Sequence, residues 1–203
     1  MNPDGSVAFF DRQFQQQVRD RDFKLNPFEL VALPHLGGRV LDFGCGLGNL
    51  AIAAAQRGCS VVALDASRSA IGHLRQRAAA EALPVEAIEA DLRRHEISED
   101  FDCVVSIGLL MFFDCPTALA VLSKLQARVR PGGIAVINVL VEGTTYLDMF
   151  QPGNYCLFAR NEMESLFSEW NIIHSEFRDF DAPGQRIKSF VTLIARKPGQ
   201  QPP

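Results

Sequence analysis

Histidine is scarce in this chain, and its cysteines lie far apart. The four histidines (35, 73, 95 and 174) have no ligand spacing, and the five cysteines (45, 59, 103, 115 and 156) include no CxxC pair. Both patterns argue against a metal site. An odd number of unpatterned cysteines leads us to expect reduced thiols in a cytoplasmic protein, not a disulfide frame. Long apolar runs are missing too. The longest, CVVSIGLLMFF at 103–113, falls short of the roughly 18 residues a membrane helix needs. The opening MNPDGSVAFFDRQFQQ has no basic start followed by an apolar stretch, so no secretory signal is expected. Positive charge is not in excess: 20 Lys and Arg against 24 Asp and Glu give a net charge of −4. Such a balance provides no electrostatic footprint for nucleic acid or an anionic membrane. Internal repeats are absent, and the one biased segment is KPGQQPP at 197–203.

What is present is alternation. At 203 residues and 47% hydrophobic, the chain suits one domain with a sizeable core. Apolar runs at RVLDF (39–43), SVVAL (60–64), VEAIEA (from 85), FDCVVSI (101–107) and IAVINVLV (134–141) are separated by helical patterns at 47–57, 67–82 and 118–129. Strands apolar throughout that alternate with helices predict a parallel sheet covered on both faces. After residue 141 the pattern changes to a long loop (143–159), then a helix NEMESLFSEW with an expected capping box from Asn161 to Glu164. NIIHSEFRDF (171–180) and RIKSFVTLIARK (186–197) follow as a hairpin about the turn 181–184. Asn26, Pro27 and Glu29 form another capping box ahead of the first strand. The organisation is one domain at 1–203: an N-terminal arm or lid (1–25), a core (26–197) and a disordered tail (198–203).

The densest chemistry lies in LDFGCGLGNLAIAAAQRGCSVVALD at 41–65. In an open parallel sheet, ligands bind at the carboxyl ends of the strands. Glycines there accept positive φ and let a ligand approach the backbone, so Gly44, Gly46 and Gly48 should present main-chain amides, with Cys45 contributing its amide rather than its thiol. Asp65, ending the second strand, is placed to accept from both hydroxyls of a ribose. A dinucleotide site wants G-x-G-x-x-G, but that third position holds Asn49. Asp42, two residues before the first glycine, sits poorly beside a pyrophosphate and suits a ligand with a cationic amino-acid end.

The pattern D-x-G-x-G-x-G from Asp42 to Gly48 resembles motif I of the class I S-adenosylmethionine-dependent methyltransferases. Further likenesses are Asp65, Asp91-Leu92, the stretch 101–113, the VRPGG turn and the closing hairpin. The resemblance implies a doubly wound, Rossmann-like α/β fold with seven mostly parallel strands in the order 3-2-1-4-5-7-6, strand 7 antiparallel. It implies S-adenosyl-L-methionine as cofactor and S-adenosyl-L-homocysteine as product. Asp65 and Ala66 would hold the ribose, Asp91 and Leu92 the adenine, and Ser106 and Ile107 the methionine part. A narrower likeness, in LLMFF, LFARNEMESLFSEW and GQRIKSFVTLIARK, is to the tellurite-resistance methyltransferases. The His-Arg pair which that group carries before its last strand is replaced here by Arg178, Asp179, Phe180 and Asp181, an acidic stretch poorly suited to an oxyanion.

The expected activity is methyl transfer to a small-molecule nucleophile, a chalcogen, thiol or similar, by in-line displacement. No fixed catalytic residue is required when the acceptor is soft and already ionised. Met111 and Phe112 are candidates for the methyl-pocket wall, Phe10 (with Phe9 and Phe14) for a lid that excludes water, and Arg186 for contact with the acceptor. The alternatives are a non-catalytic binder of the same cofactor and an NAD-dependent oxidoreductase. The acceptor's identity and the choice between monomer and dimer stay open.

Overall fold

The structure, a computed structural model, describes residues 5–199, with side chains from Phe10 onward. The side chain of Phe9 and the end of the expected tail, from 200 to 203, lie outside the described residues. Strands β1 (Arg39–Phe43), β2 (Ser60–Asp65), β3 (Val85–Glu89), β4 (Phe101–Ile107), β5 (Val129–Leu140), β6 (Asn171–Ala182) and β7 (Arg186–Arg196) form one sheet. Its order is β3-β2-β1-β4-β5-β7-β6, with β7 antiparallel to both neighbours. The helices are α1 (Gly5–Asp20), α2 (Pro27–Ala32), α3 (Asn49–Gln56), α4 (Arg68–Ala80), α5 (Cys115–Ala127) and α6 (Glu162–Leu166), and a 3₁₀ turn spans Leu110–Phe112.

The continuous apolarity of the inner strands follows from burial on both faces. Leu41, Phe43, Leu64 and Val104 pack with Leu122 and Leu125 of α5. Val40, Val61, Ala63 and Val105 pack on the other face with residues of α3 and α4 such as Leu50 and Leu74. Each fully buried side chain of this size contributes about 1.5–3 kcal/mol. The capping box at Asn26 forms as expected: its side chain accepts from Phe28 and Glu29 amides while Glu29 accepts from the Asn26 amide at 2.7 Å. Helix α1 lies against α4, held where the Asp11 carboxylate accepts from the hydroxyls of Ser67 and Ser69.

Three expectations are corrected. β5 begins at Val129, because Arg130–Gly133 form a bulge between the pairs Phe101–Val129 and Cys103–Ile134. The capping box at Asn161 does not form. Asn161 is already helical (φ −96°, ψ 0°) with no side-chain cap, and Glu164 instead accepts from the Ser175 hydroxyl at 2.7 Å. The helix stops at Leu166, and Phe167 and Trp170 pack edge to face at 5.1 Å.

The third correction concerns the cysteines. Cys115 and Cys156 are joined in a disulfide, while Cys45, Cys59 and Cys103 are free and buried. The pair is 41 residues apart in sequence and meets only because the loop after β5 returns to α5. There the Cys156 amide donates to the Met111 carbonyl at 3.1 Å. In the chain-entropy picture, closing a loop of this length stabilises by about 4 kcal/mol. Reduction is expected to lower the unfolding free energy by about 2–4 kcal/mol, measured by denaturant titration with and without reductant. Alkylating the unfolded, unreduced protein should label three of its five cysteines. Five labelled thiols would show that the bond is not formed.

Candidate active site

Strand order reverses between β1 and β4, and the cavity opens there, beyond the strands' carboxyl ends. Its volume is about 480 Å³, within the range of small-ligand sites. One wall is the glycine loop. The amides of Gly44 and Cys45 both donate to the Leu64 carbonyl, at 2.8 and 2.9 Å, tying the loop to β2. Asp65 completes the attachment. One carboxylate oxygen accepts from the Gly46 amide and the other from the Ser67 amide, both at 2.8 Å.

All three loop glycines have positive φ, but they do different things. Gly44 and Gly46 face the cavity, and a Cβ on Gly46 would come within 3.0 Å of the Phe14 ring of α1. Gly48 does not line the cavity. A Cβ there would meet Leu74 at 2.5 Å, so its role is the close packing of α3 against α4. Asp42, Cys45, Ala66, Asp91, Leu92 and Ile107 line the cavity. Ser106 does not. Successive strand side chains face opposite ways, and its hydroxyl is fully buried without a hydrogen-bond partner.

The cavity is acidic at its floor. Asp42 is buried at 5% exposure, and one of its carboxylate oxygens has no hydrogen-bond partner. Burial first, then the negative charges of Glu29 and Asp65, push its pKa up to about 8. Burial also raises Glu29, against the opposing pull of its bond from the Asn26 amide. Asp65 is raised by burial too, and the amides of Ser67 and Gly46 counteract this. Burial, reinforced by Asp42 and Asp65, holds the Cys45 thiol well above its ordinary value, so Cys45 is no thiolate nucleophile.

The other end is aromatic. Phe10 of α1 stands edge-on to Phe112 at 4.9 Å, and Phe28 of α2 contacts Phe190 of β7 at 4.8 Å. Met111 and Tyr146 complete this end. Arg186 does not line the cavity: its two guanidinium nitrogens bind the Asp148 carboxylate at 2.6 and 2.8 Å, and its guanidinium stacks over the Tyr146 ring at 4.7 Å. Lys188, two residues along the same strand, lines the cavity in its place. Sequence reasoning passed over Lys188, saw Glu29 only as a helix cap, and missed Asn138. Asn138 donates to the Thr192 hydroxyl at 3.0 Å and has an unpartnered carbonyl oxygen at the cavity. A lone amide within IAVINVLV was the available signal.

Residues 40–133 match a family described as "Methyltransferase domain". With the sheet order and the glycine loop, this match makes the chain similar to the class I S-adenosylmethionine-dependent methyltransferases. Among curated relatives it is 27% identical over 166 residues to a probable S-adenosyl-L-methionine-dependent methyltransferase TehB of Haemophilus influenzae, covering 78% of this chain and 57% of that protein. It is 29% identical to "Hemagglutinin 1" of Eikenella corrodens, covering 79% of this chain and 55% of that protein. The chain thus spans little more than half the length of these relatives. The solved structure of TehB from H. influenzae superposes with a TM-score of 0.75 at 20% identity, covering 89% of this chain and 65% of that one. The N-methyltransferase NodS of Bradyrhizobium japonicum superposes with a TM-score of 0.73 at 17% identity, covering 96% and 100%.

S-adenosylmethionine is the cofactor of this class, and the residues present fit it. Glycines 44 and 46 keep side chains off the cavity wall, Asp65 presents a carboxylate to the cavity, and Asp42 has an unpartnered acceptor atom that a cationic amino-acid end would satisfy. Two substitutions separate packing from binding. Gly48→Ala is expected to destabilise the fold by on the order of 2–4 kcal/mol, from strain and overpacking, with cofactor affinity of the folded protein unchanged by calorimetry. Asp65→Ala is expected to weaken that affinity roughly 10- to 100-fold, since it removes charge-assisted hydrogen bonds and frees the glycine loop.

Proposed function

We propose that the chain transfers a methyl group from S-adenosylmethionine to a small, soft nucleophile such as a thiol or another chalcogen anion. The observation that carries this reading is one cavity joining the glycine loop and Asp65 to an aromatic end with a single β7 cation, Lys188. When bound, the cofactor supplies an activated sulfonium methyl, so the chain need only align the acceptor and exclude water. Proximity and orientation alone contribute about 7–11 kcal/mol in such reactions. Phe10, Phe112 and Phe190 supply the dry wall, and the half-buried Lys188, 5.7 Å from the centre of the Tyr146 ring, supplies a positive charge for an anionic acceptor. The described residues contain no cluster suited to hold a metal ion. The resemblance of the chain to TehB supports testing tellurite and selenite alongside thiols.

The reading is tested by titrating S-adenosylmethionine, S-adenosylhomocysteine and NAD in parallel, then detecting methylated product from thiols, selenite, tellurite and small amines by mass spectrometry. Binding of the first two but not NAD, with a methylated product, is the expected result. Lys188→Ala should leave cofactor affinity intact and raise KM for an anionic acceptor by about 5- to 50-fold, as expected for losing one partly buried charge contact. Unchanged kinetics would remove Lys188 from acceptor binding.

A further inference from the structure

Asn138 is an amide among apolar neighbours near the end of β5, and it is fully buried. A buried amide costs stability unless its hydrogen bonds are made. Its nitrogen is satisfied twice by β7, donating to the Val191 carbonyl at 3.2 Å and to the Thr192 hydroxyl at 3.0 Å. A carbonyl can only accept, so the bond to Val191 fixes which way the amide is turned. Oδ1 is left on the side away from β7, where Asn138 borders the cavity, and it has no donor among the described residues. The glycine loop and Asp65 belong to β1 and β2, whereas Asn138 stands beyond β4 and pairs with Thr192 of β7. Residues two apart on a strand share a face. Asn138 therefore shares its face with Leu140, which packs with Met111 and Phe112 against Phe10 and Phe190. The oxygen stands at the foot of the aromatic end.

We propose that Asn138 sets acceptor specificity: its Oδ1 accepts a hydrogen bond from an O–H or N–H group of the acceptor. The preferred substrates are then soft nucleophiles that carry such a donor beside the reacting atom, hydroxythiols and aminothiols among them. This rests on the methyl-transfer reading above. Oδ1 has no partner to give up, so the bond costs only the acceptor's own hydration. A plain alkyl thiol fills the aromatic end but leaves Oδ1 unpaired. A site built to hydrogen-bond a substrate hydroxyl or amine discriminates strongly against an analogue that lacks the donor. The same bond fixes one end of the acceptor, which limits the directions its sulfur can take. The anchoring of the amide nitrogen by Val191 and Thr192 holds Oδ1 in place before any ligand arrives.

The test compares two thiols of nearly equal size: 2-mercaptoethanol, which ends in a hydroxyl, and 1-propanethiol, which ends in a methyl. S-Methylated product is measured at saturating S-adenosylmethionine, and rates are expressed per thiolate so that the acidities of the two thiols drop out. An aromatic wall alone would favour propanethiol. Asn138 is expected to reverse that order, giving 2-mercaptoethanol the higher kcat/KM by about 10- to 100-fold. Asn138→Leu should restore the preference for propanethiol and leave S-adenosylmethionine affinity by calorimetry unchanged. Equal rates in the wild-type protein, or a preference there for propanethiol, would overturn the proposal, and that comparison does not depend on a variant folding. A folded Asn138→Leu that keeps the wild-type preference, or that loses cofactor affinity, would overturn it as well. If neither thiol is methylated, the reading of the acceptor as a thiol falls, and this inference with it. If both are methylated alike, only this inference falls.

Discussion

The candidate site is organised by one carboxylate. Asp65 holds the Gly46 amide with one oxygen and the Ser67 amide with the other. Through Gly46 it fixes the loop after β1, and through Ser67 it fixes the entry to α4, whose cap is the Ser67 hydroxyl accepting from the Ala70 amide at 3.1 Å. The loop's geometry, the start of α4 and the anchorage of α1 on Ser67 and Ser69 all meet at this point. β2 delivers Asp65 there by pairing in register with β1, Phe43 opposite Leu64. A residue expected to serve a ligand is thus equally a structural clamp.

The charge distribution divides the cavity. The floor gathers Asp42, Glu29 and Asp65, groups whose ionisation is disfavoured by burial and eased by backbone amides where these reach them. The rest of the wall is built from rings and three cations, Lys24, Arg93 and Lys188. A cofactor with a cationic amino-acid end and a sulfonium matches the first region, and a soft anionic acceptor matches the second.

The sheet order and the glycine loop were legible in the sequence because they rest on periodicity and local backbone demands. Strands buried on both faces are apolar throughout, and positive φ selects glycine. What escaped depended on which chain segments meet in space. Gly48 looks like its two neighbours in the motif but packs on Leu74, 26 positions away. Arg186 and Lys188 lie on the same strand, but Lys188 lines the cavity while Arg186 pairs with Asp148 and stacks on Tyr146. The disulfide joins cysteines with no spacing pattern, brought together by the return of a loop. Asn161 satisfied every local rule for a cap, yet the backbone was already helical there.

Helix α1 has a kinetic meaning beyond its packing. Phe14 rests over Gly46, Phe10 over Phe112, and Asp11 on the two serines at the head of α4. These contacts straddle the cavity from the glycine loop to the aromatic end. A cofactor seated in this cavity would lie beneath the helix, so its exchange with solvent would require the helix to lift. Product residence would then depend on how often α1 (Gly5–Asp20) opens, which makes the helix the escapement of turnover.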